Sequence, residues 1–288
     1  TFIVPGLNGA SDGVAWQAQI AAGQDVQSHT QNHKSSEVYN TWTTAQIWMD
    51  YYDAIGTIEA ITQEKVNVIG YSYGWSRQDY SSQLYIAGRG TAGTPNYPGK
   101  VNYMATNSVS CVFRETMDGT MNHVRTLYDK ETKIFGASYY GGWTDFHYHA
   151  ITLNGAYTTA DGREISNAEE WLDWWFGTYL APLKEGGVIY MDTFQAIAKY
   201  GQERDTATLT VLAADTDSVR MTLSDKMDDT IFDEALTVKV RIDTDWTGVT
   251  ATQGGETIEA RIVVNEYGTY VLAECVPDAG EILLTAIK

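Results

Sequence analysis

The sequence predicts an α/β domain over residues 1–203 and a small all-β sandwich over residues 204–288. Short apolar runs alternate with amphipathic segments up to about Tyr200, which indicates parallel strands in a barrel or a doubly wound sheet. After about Arg204, apolar residues recur at every second position, as in antiparallel strands with one buried face. This change of period sets the predicted domain boundary.

The first elements of the α/β domain have clear local signals. Residues 1–5 read as a short apolar strand, and the helix after it has Asp12 as a capping residue and Gly23 at its end. A longer helix over residues 43–62 carries one apolar stripe, which predicts the face that packs on the core. The stripe consists of Ile47, Tyr51, Ile55 and Ile58.

The remaining elements continue the alternation of strands and helices. Further strands are predicted at 66–69, 84–88, 144–151 and 187–191. Further helices are predicted from about Arg77, around 117–127, over 166–183 and over 192–204. Ser166 and Glu169 predict a capping box at the start of the helix over 166–183. Its aromatic and aliphatic stripe is predicted to be core: Trp171, Leu172, Trp175 and Phe176.

The predicted sandwich rests on period-two patterns separated by turn residues. Residues predicted to face its core include Leu209, Val211, Val219, Met221, Leu223, Leu236, Val238, Val240, Ile242, Ile258, Ala260 and Ile262.

The composition excludes some classes of partner. The 288 residues carry a formal net charge of -18, and a field of this sign repels the phosphates of nucleic acids and of anionic membranes. A neutral polysaccharide is compatible with this negative charge.

Two cysteines, Cys111 and Cys275, provide no disulfide framework. No apolar run is long enough to span a bilayer, and no signal peptide is evident.

Two histidines form the first candidate site. His29 and His33 are four residues apart, so a helical turn places both imidazoles on one side, where they supply half of a zinc-type site. The same spacing also describes a solvated pair on a helix surface.

The stretch "VNVIGYSYGW" raises a second possibility. It reads as a strand running into G-x-S-x-G, the pattern of a nucleophile elbow, with Ser72 as the nucleophile of a serine esterase. A catalytic triad would then need an acid, Asp118, Asp129 or Asp145, followed by a histidine, His147 or His149. The other interpretation is an unrelated turn with the same letters.

The histidine segment resembles a known family. "AAGQDVQSHTQNH" is similar to the S-H-[ST]-x-x-H motif of polysaccharide deacetylases, the NodB-homology group or carbohydrate esterase family 4. "TFIVPG", "GWTDFHYHAI" and "VIYMDTFQAIAKYGQER" resemble other segments of that family, in the family's order, over about residues 1–210. The resemblance implies a deformed (β/α) barrel and a secreted or cell-surface enzyme that deacetylates a polysaccharide.

The resemblance also implies roles for individual residues. His29 and His33 would bind a divalent metal, usually zinc, and His149 would be the acid that protonates the leaving group. "GYSYG" stands where the family has R-x-P-x-G, so Tyr73 would contribute its backbone N–H to the oxyanion hole. His147 stands where the family has leucine and would contact the substrate.

The family's first motif, T-F-D-D-G, has no counterpart here, so the base and the metal-binding carboxylate are missing, along with the first barrel strand. We therefore expect sequence before Thr1, or a strand from a neighbouring chain on the exposed edge, or an impaired enzyme. A noncatalytic carbohydrate-binding or structural protein, self-assembling through this edge or the sandwich, is the main alternative to the deacetylase. The serine esterase is the second alternative.

Overall fold

The computed structural model describes residues 1–6, 13–110, 117–131, 137–149, 157–159 and 162–288. The chain forms two compact units, Thr1–Gln195 and Ala196–Lys288. The division lies near the start of a helix, α8 (Phe194–Thr206), and the limit predicted at 203–204 lies near the end of that helix.

A parallel sheet of four strands forms the centre of the first unit, in the order β1-β2-β3-β4. The strands are β1 Phe2–Val4, β2 Val26–Ser28, β3 Val68–Gly70 and β4 Ala87–Arg89. β2, β3 and β4 are buried along their whole length, as expected for parallel strands covered on both faces. Among the described strands β1 pairs only with β2, so β1 forms an unpaired edge of the sheet. Self-assembly through this edge stays a prediction.

The longest helix of the sheet region begins at a capping box, formed by Thr43 and Gln46, and ends at left-handed Gln63. The helices here are α1 Gly13–Ala21, α2 Ser36–Tyr39, α3 Thr44–Thr62 and α4 Gln78–Ser81. The predicted stripe of α3 is confirmed at three positions that are fully buried: Ile47, Tyr51 and Ile58. The predicted cap of α1, Asp12, lies outside the described residues.

The rest of the first unit has shorter elements around an aromatic core. They are β5 Val109–Ser110, α5 Met117–Tyr128, β6 Phe146–His147, β7 Tyr157–Thr158, β8 Glu164–Ile165, α6 Ala168–Leu172, a π-helical segment Asp173–Leu180 and α7 Ala181–Glu185. Their buried core is Met121, Val124, Ile165, Trp171, Trp174, Trp175 and Leu180. The capping residue of α6 is Asn167, which accepts from the Glu170 amide, one position later than predicted.

The α/β class is confirmed, and two predicted strands need correction. β5 and β6 form a parallel pair, and Thr106 bridges to Arg89 in parallel, but the described strands do not close a barrel. The strand predicted at 144–151 is reduced to β6 within the described residues. The strand predicted at 187–191 does not form, because the amides of Val188 and Ile189 bind the carbonyl of Leu183 after the end of α7.

The second unit contains two antiparallel sheets with a shared core. The strands are β9 Thr208–Ala214, β10 Ser218–Ser224, β11 Leu236–Ile242, β12 Gly248–Gln253, β13 Glu256–Thr257, β14 Ala260–Asn265, β15 Gly268–Cys275 and β16 Glu281–Ile287. The sheets have the orders β13-β12-β16-β10-β9 and β11-β15-β14. The core includes Val219, Met221, Leu223, Leu236 and Val238, as predicted.

The first sandwich strand forms as predicted, but the prediction that Leu209 and Val211 face the core is wrong. They are 44% and 59% exposed, and every residue of β9, a strand at the edge of its sheet, is exposed. Within the described chain, no helix has both the length and the hydropathy that a membrane crossing requires.

Candidate functional site

The candidate site lies where the parallel strands of the first unit end. His29 directly follows β2, Ser72 and Tyr73 follow β3, and Arg89 is the last residue of β4. His147 is the last residue of β6, which pairs in parallel with β5. Carboxyl ends of parallel strands are the usual position of ligand sites in α/β folds.

The structure brings His29 and His33 together. Their ring centroids are 4.5 Å apart with an interplanar angle of 48°. The ring of Tyr73 lies 4.9 Å from that of His33, and Tyr73 is 69% exposed. The two imidazoles and one exposed aromatic ring therefore form a continuous surface.

Hydrogen bonding fixes the tautomer of His29. Its Nδ1 lies 2.6 Å from the carbonyl oxygen of Gly70, and because a carbonyl only accepts, Nδ1 carries the proton. Nε2 of the neutral ring then keeps its lone pair. Burial, together with the smaller effects of the charges of Arg89, His33 and His149, lowers the pKa of His29 to about 4, and the hydrogen bond to the Gly70 carbonyl opposes this shift. Burial and the charge of His149 also lower the pKa of His33.

A second pair of imidazoles, His147 and His149, has ring centroids 5.9 Å apart in an edge-on arrangement. His147 is half-buried, and its Nδ1 lies 2.7 Å from Oγ of the fully buried Ser108. Burial, then Arg89, then His149 lower the pKa of His147 to about 4. His149 is exposed and interacts electrostatically with His29 and His33, so the four histidines belong to one site.

This site has two more charged groups, of which the sequence analysis missed Arg89 and named Asp145 only as a possible acid of a serine triad. Arg89 is only 8% exposed, and burial lowers its pKa while the charge of Asp145 raises it. Burial raises the pKa of Asp145, and Arg89 lowers it. Arg89 ends an otherwise apolar strand. A charged residue at the carboxyl end of a parallel strand indicates a functional site, and this signal is present in the sequence.

The structure does not support a nucleophilic Ser72. The left-handed residue of the turn is Tyr73, with φ 54°, whereas a nucleophile elbow places the strain on the serine itself. Ser72 is 1% exposed, its Oγ donates to the carbonyl of His29 at 3.0 Å, and it lies 3.1 Å from Oγ1 of Thr30. No contact of the described residues joins this hydroxyl to an imidazole.

A complete set of metal ligands is not found at the histidines. In the described part of the chain, three potential ligand atoms within 4.8 Å of one another occur at Asp225, Asp229 and Asp278 of the second unit. Asp25, near His29 in sequence, lies 3.5 Å from the amino group of Thr1 instead. The histidine pair therefore offers two nitrogen donors without a described third ligand.

Comparisons with known proteins give two matches. No family model matches the chain. The chain is 32% identical over 289 residues to a gellan lyase from a Bacillus species, covering 98% of this chain and 11% of that protein. It thus spans about a tenth of the length of this relative. Among solved structures, a polysaccharide deacetylase from Bacillus cereus matches 41% of this chain and 38% of its own, with 18% identity and a TM-score of 0.34, which is too low to support an argument.

We expect the buried histidines to stay neutral at pH values far below the usual pKa of an imidazole. In metal-free protein, His29 and His147 should each titrate near pH 4, because burial disfavours the imidazolium. Their folded pKa values are lowered, so their contribution to stability is full above about pH 6.5 and is lost as the pH falls towards 4. NMR titration of the imidazole resonances measures this directly, and titration near pH 6.5 would contradict it.

Proposed function

We propose that the first unit is a metal-dependent carbohydrate esterase that removes acetyl groups from a polysaccharide. The observation that carries the proposal is the His29–His33 pair, with ring centroids 4.5 Å apart at the carboxyl end of a parallel sheet. The polysaccharide as substrate class is supported by the 32% identity to part of a gellan lyase. The acidic surface suits a neutral region of such a polymer better than a polyanion.

The donors present fit two positions of a zinc-type site. His29 donates its Nδ1–H to a backbone carbonyl and keeps Nε2 free, which is the usual outer-shell arrangement of a metal-binding histidine. Neutral imidazoles are the ligand form, and burial favours that form for both rings. A divalent cation held by His29 and His33 would polarise an acetyl carbonyl and lower the pKa of a bound water. Its remaining ligands would come from groups other than the described protein residues.

The other residues have distinct roles in this proposal. His149 is exposed beside the pair and would donate the proton to the leaving oxygen or nitrogen of the sugar. Ser108 bonds to Nδ1 of His147, and Nε2 of His147 would contact the substrate as a polar group where the resemblance implies an apolar wall. Burial and, to a smaller extent, the positive charge of Arg89 favour the neutral forms of His29 and His147.

Acetate release from an acetylated polysaccharide tests the proposal. We expect zinc-loaded protein to release acetate, a chelator to abolish release, and His29→Ala or His33→Ala to lower the rate on the order of 100-fold or more. Ser72→Ala is expected to keep most of the activity, since its buried hydroxyl bonds to the backbone carbonyl of His29 and to Thr30 and would take no part in the chemistry. Release that resists the chelator and is lost in Ser72→Ala would instead support a serine esterase.

The lack of a third ligand near the histidine pair among the described residues favours a second candidate, a noncatalytic polysaccharide-binding unit. In that case the exposed ring of Tyr73 would stack on a sugar face. Polysaccharide binding that weakens in Tyr73→Ala, together with no acetate release at any zinc concentration, would favour this candidate over the enzyme.

A further inference from the structure

The loop that carries both candidate ligands has an unfavourable backbone. It runs from the end of β2 to the start of α2, and two of its residues with a Cβ atom are left-handed, Thr30 with φ 63° and His33 with φ 47°. Neither is glycine, so the conformation must be stabilised by interactions with the rest of the fold.

A buried carboxylate of helix α3 supplies these interactions. Asp50 is 3% exposed, and its Oδ1 accepts from the backbone N–H of Asn32 at 3.0 Å and from Nδ2 of Asn32 at 2.6 Å. The backbone carbonyl of Asp50 accepts from the amide of Gln31 at 2.9 Å. Two consecutive residues between the histidines are thus bound to one residue of the helix.

A tyrosine connects the same carboxylate to the second histidine. The hydroxyl of Tyr39 donates to Oδ2 of Asp50 at 2.5 Å and also lies 3.1 Å from Oγ1 of Thr30. Oγ1 of Thr30 accepts from the backbone N–H of His33 at 3.1 Å. Tyr39 and Thr30 are 1% and 0% exposed, so this chain of hydrogen bonds is shielded from water.

We propose that Asp50 is a positioning residue that holds His29 and His33 in a shared site; this inference rests on the proposed function of the pair. The position favours a carboxylate, because two N–H groups of Asn32 donate to one of its oxygens and the hydroxyl of Tyr39 donates to the other. A carboxylate accepts at both oxygens, whereas the NH2 end of an amide cannot accept the short hydrogen bond that the Tyr39 hydroxyl donates. Asp50 also interrupts the apolar stripe of α3, where packing alone would favour an apolar residue.

The test compares Asp50→Asn with Asp53→Asn, an exposed aspartate of the same helix. In Asp50→Asn we expect zinc to bind 10–100-fold more weakly and the amides of Asn32 and His33 to exchange at least tenfold faster, on the order expected for lost outer-shell support. The amide of Ile69 in β3 should be unchanged, and Asp53→Asn should match wild type in every measurement.

Two readouts separate this inference from the proposed function. A residue that only stabilises the fold would lower the free energy of unfolding and leave zinc affinity and loop exchange of the folded protein at wild-type values, which would overturn the inference. If wild type itself fails to bind zinc, the proposed function fails, and faster exchange at Asn32 and His33 still decides the role of Asp50.

A second variant, Tyr39→Phe, removes one of the three donors to Asp50 and keeps the carboxylate. Should Asp50→Asn not fold, Tyr39→Phe must show the same faster exchange of the loop amides, or the inference fails.

Discussion

Glu203→Gln is expected to stabilise the second unit by up to about 3 kcal/mol at pH 8 and to change its stability little at pH 4. Glu203 is 0% exposed, and burial raises its pKa to about 7, aided by the negative charges of Asp225, Glu234 and Asp233. One of its oxygens accepts from the amide of Glu234 at 3.2 Å, and the other has no hydrogen-bond partner. Ionising this group inside the fold is therefore costly.

The direction of the pH dependence follows from the raised pKa. The folded state binds the proton of Glu203 more tightly than the unfolded chain, whose carboxyl has a pKa near 4.5. The wild type is therefore most stable below about pH 4.5 with respect to this group, and it loses stability as the pH rises to about 7. A glutamine keeps an acceptor for the Glu234 amide and does not ionise, so the variant lacks this loss.

Urea unfolding at pH 4, 6 and 8 measures the difference in the free energy of unfolding between wild type and Glu203→Gln. Hydrogen exchange of the β10 and β16 amides reports on the second unit. Glu266→Gln, at an exposed position, is the control and should follow the wild type at each pH. Equal pH dependence of wild type and Glu203→Gln would show that Glu203 is not the group responsible.

The elements predicted best from the sequence depend on local signals. Helix α3 was predictable because its capping residues and its apolar stripe lie within one continuous segment. The sandwich strands around Met221 and Val238 were predictable because the alternation of apolar residues directly reflects one buried face. Leu209 and Val211 have the same alternation, but exposure at a sheet edge depends on the order of strands, which periodicity does not encode.

The site is harder to predict because its contacts join distant segments. The spacing of His29 and His33 predicted their proximity through a helical turn. The rings do lie together, but on a nonhelical loop in which Thr30 and His33 are left-handed, so the predicted helical turn is wrong. Their role as ligands stays a prediction. G-x-S-x-G suggested Ser72 as a nucleophile, and only the backbone angle of Tyr73 shows that the strain falls on the next residue. The role of Asp50 depends on hydrogen bonds across a sequence separation of 18 residues, which no local pattern indicates.

Trp175→Ala is expected to destabilise the first unit by about 3–5 kcal/mol. Trp175 is 1% exposed, and aromatic rings surround it. They are Phe146, Trp171, Trp174 and Tyr179, at centroid distances of 5.7, 6.0, 6.2 and 5.3 Å. Truncation leaves a cavity lined by rigid rings, and rigid rings cannot relax into the space that an indole leaves.

Phe176 is the control, because the sequence places it on the same predicted core stripe. The chain is π-helical over Asp173–Leu180, and the buried residues of this face are Trp171, Trp174 and Trp175. Phe176 is 43% exposed, so its predicted place in the core is wrong. Phe176→Ala should therefore cost about 1 kcal/mol or less. Similar losses for the two variants in urea unfolding would show that Phe176 is buried in solution and would contradict this assignment of the buried face.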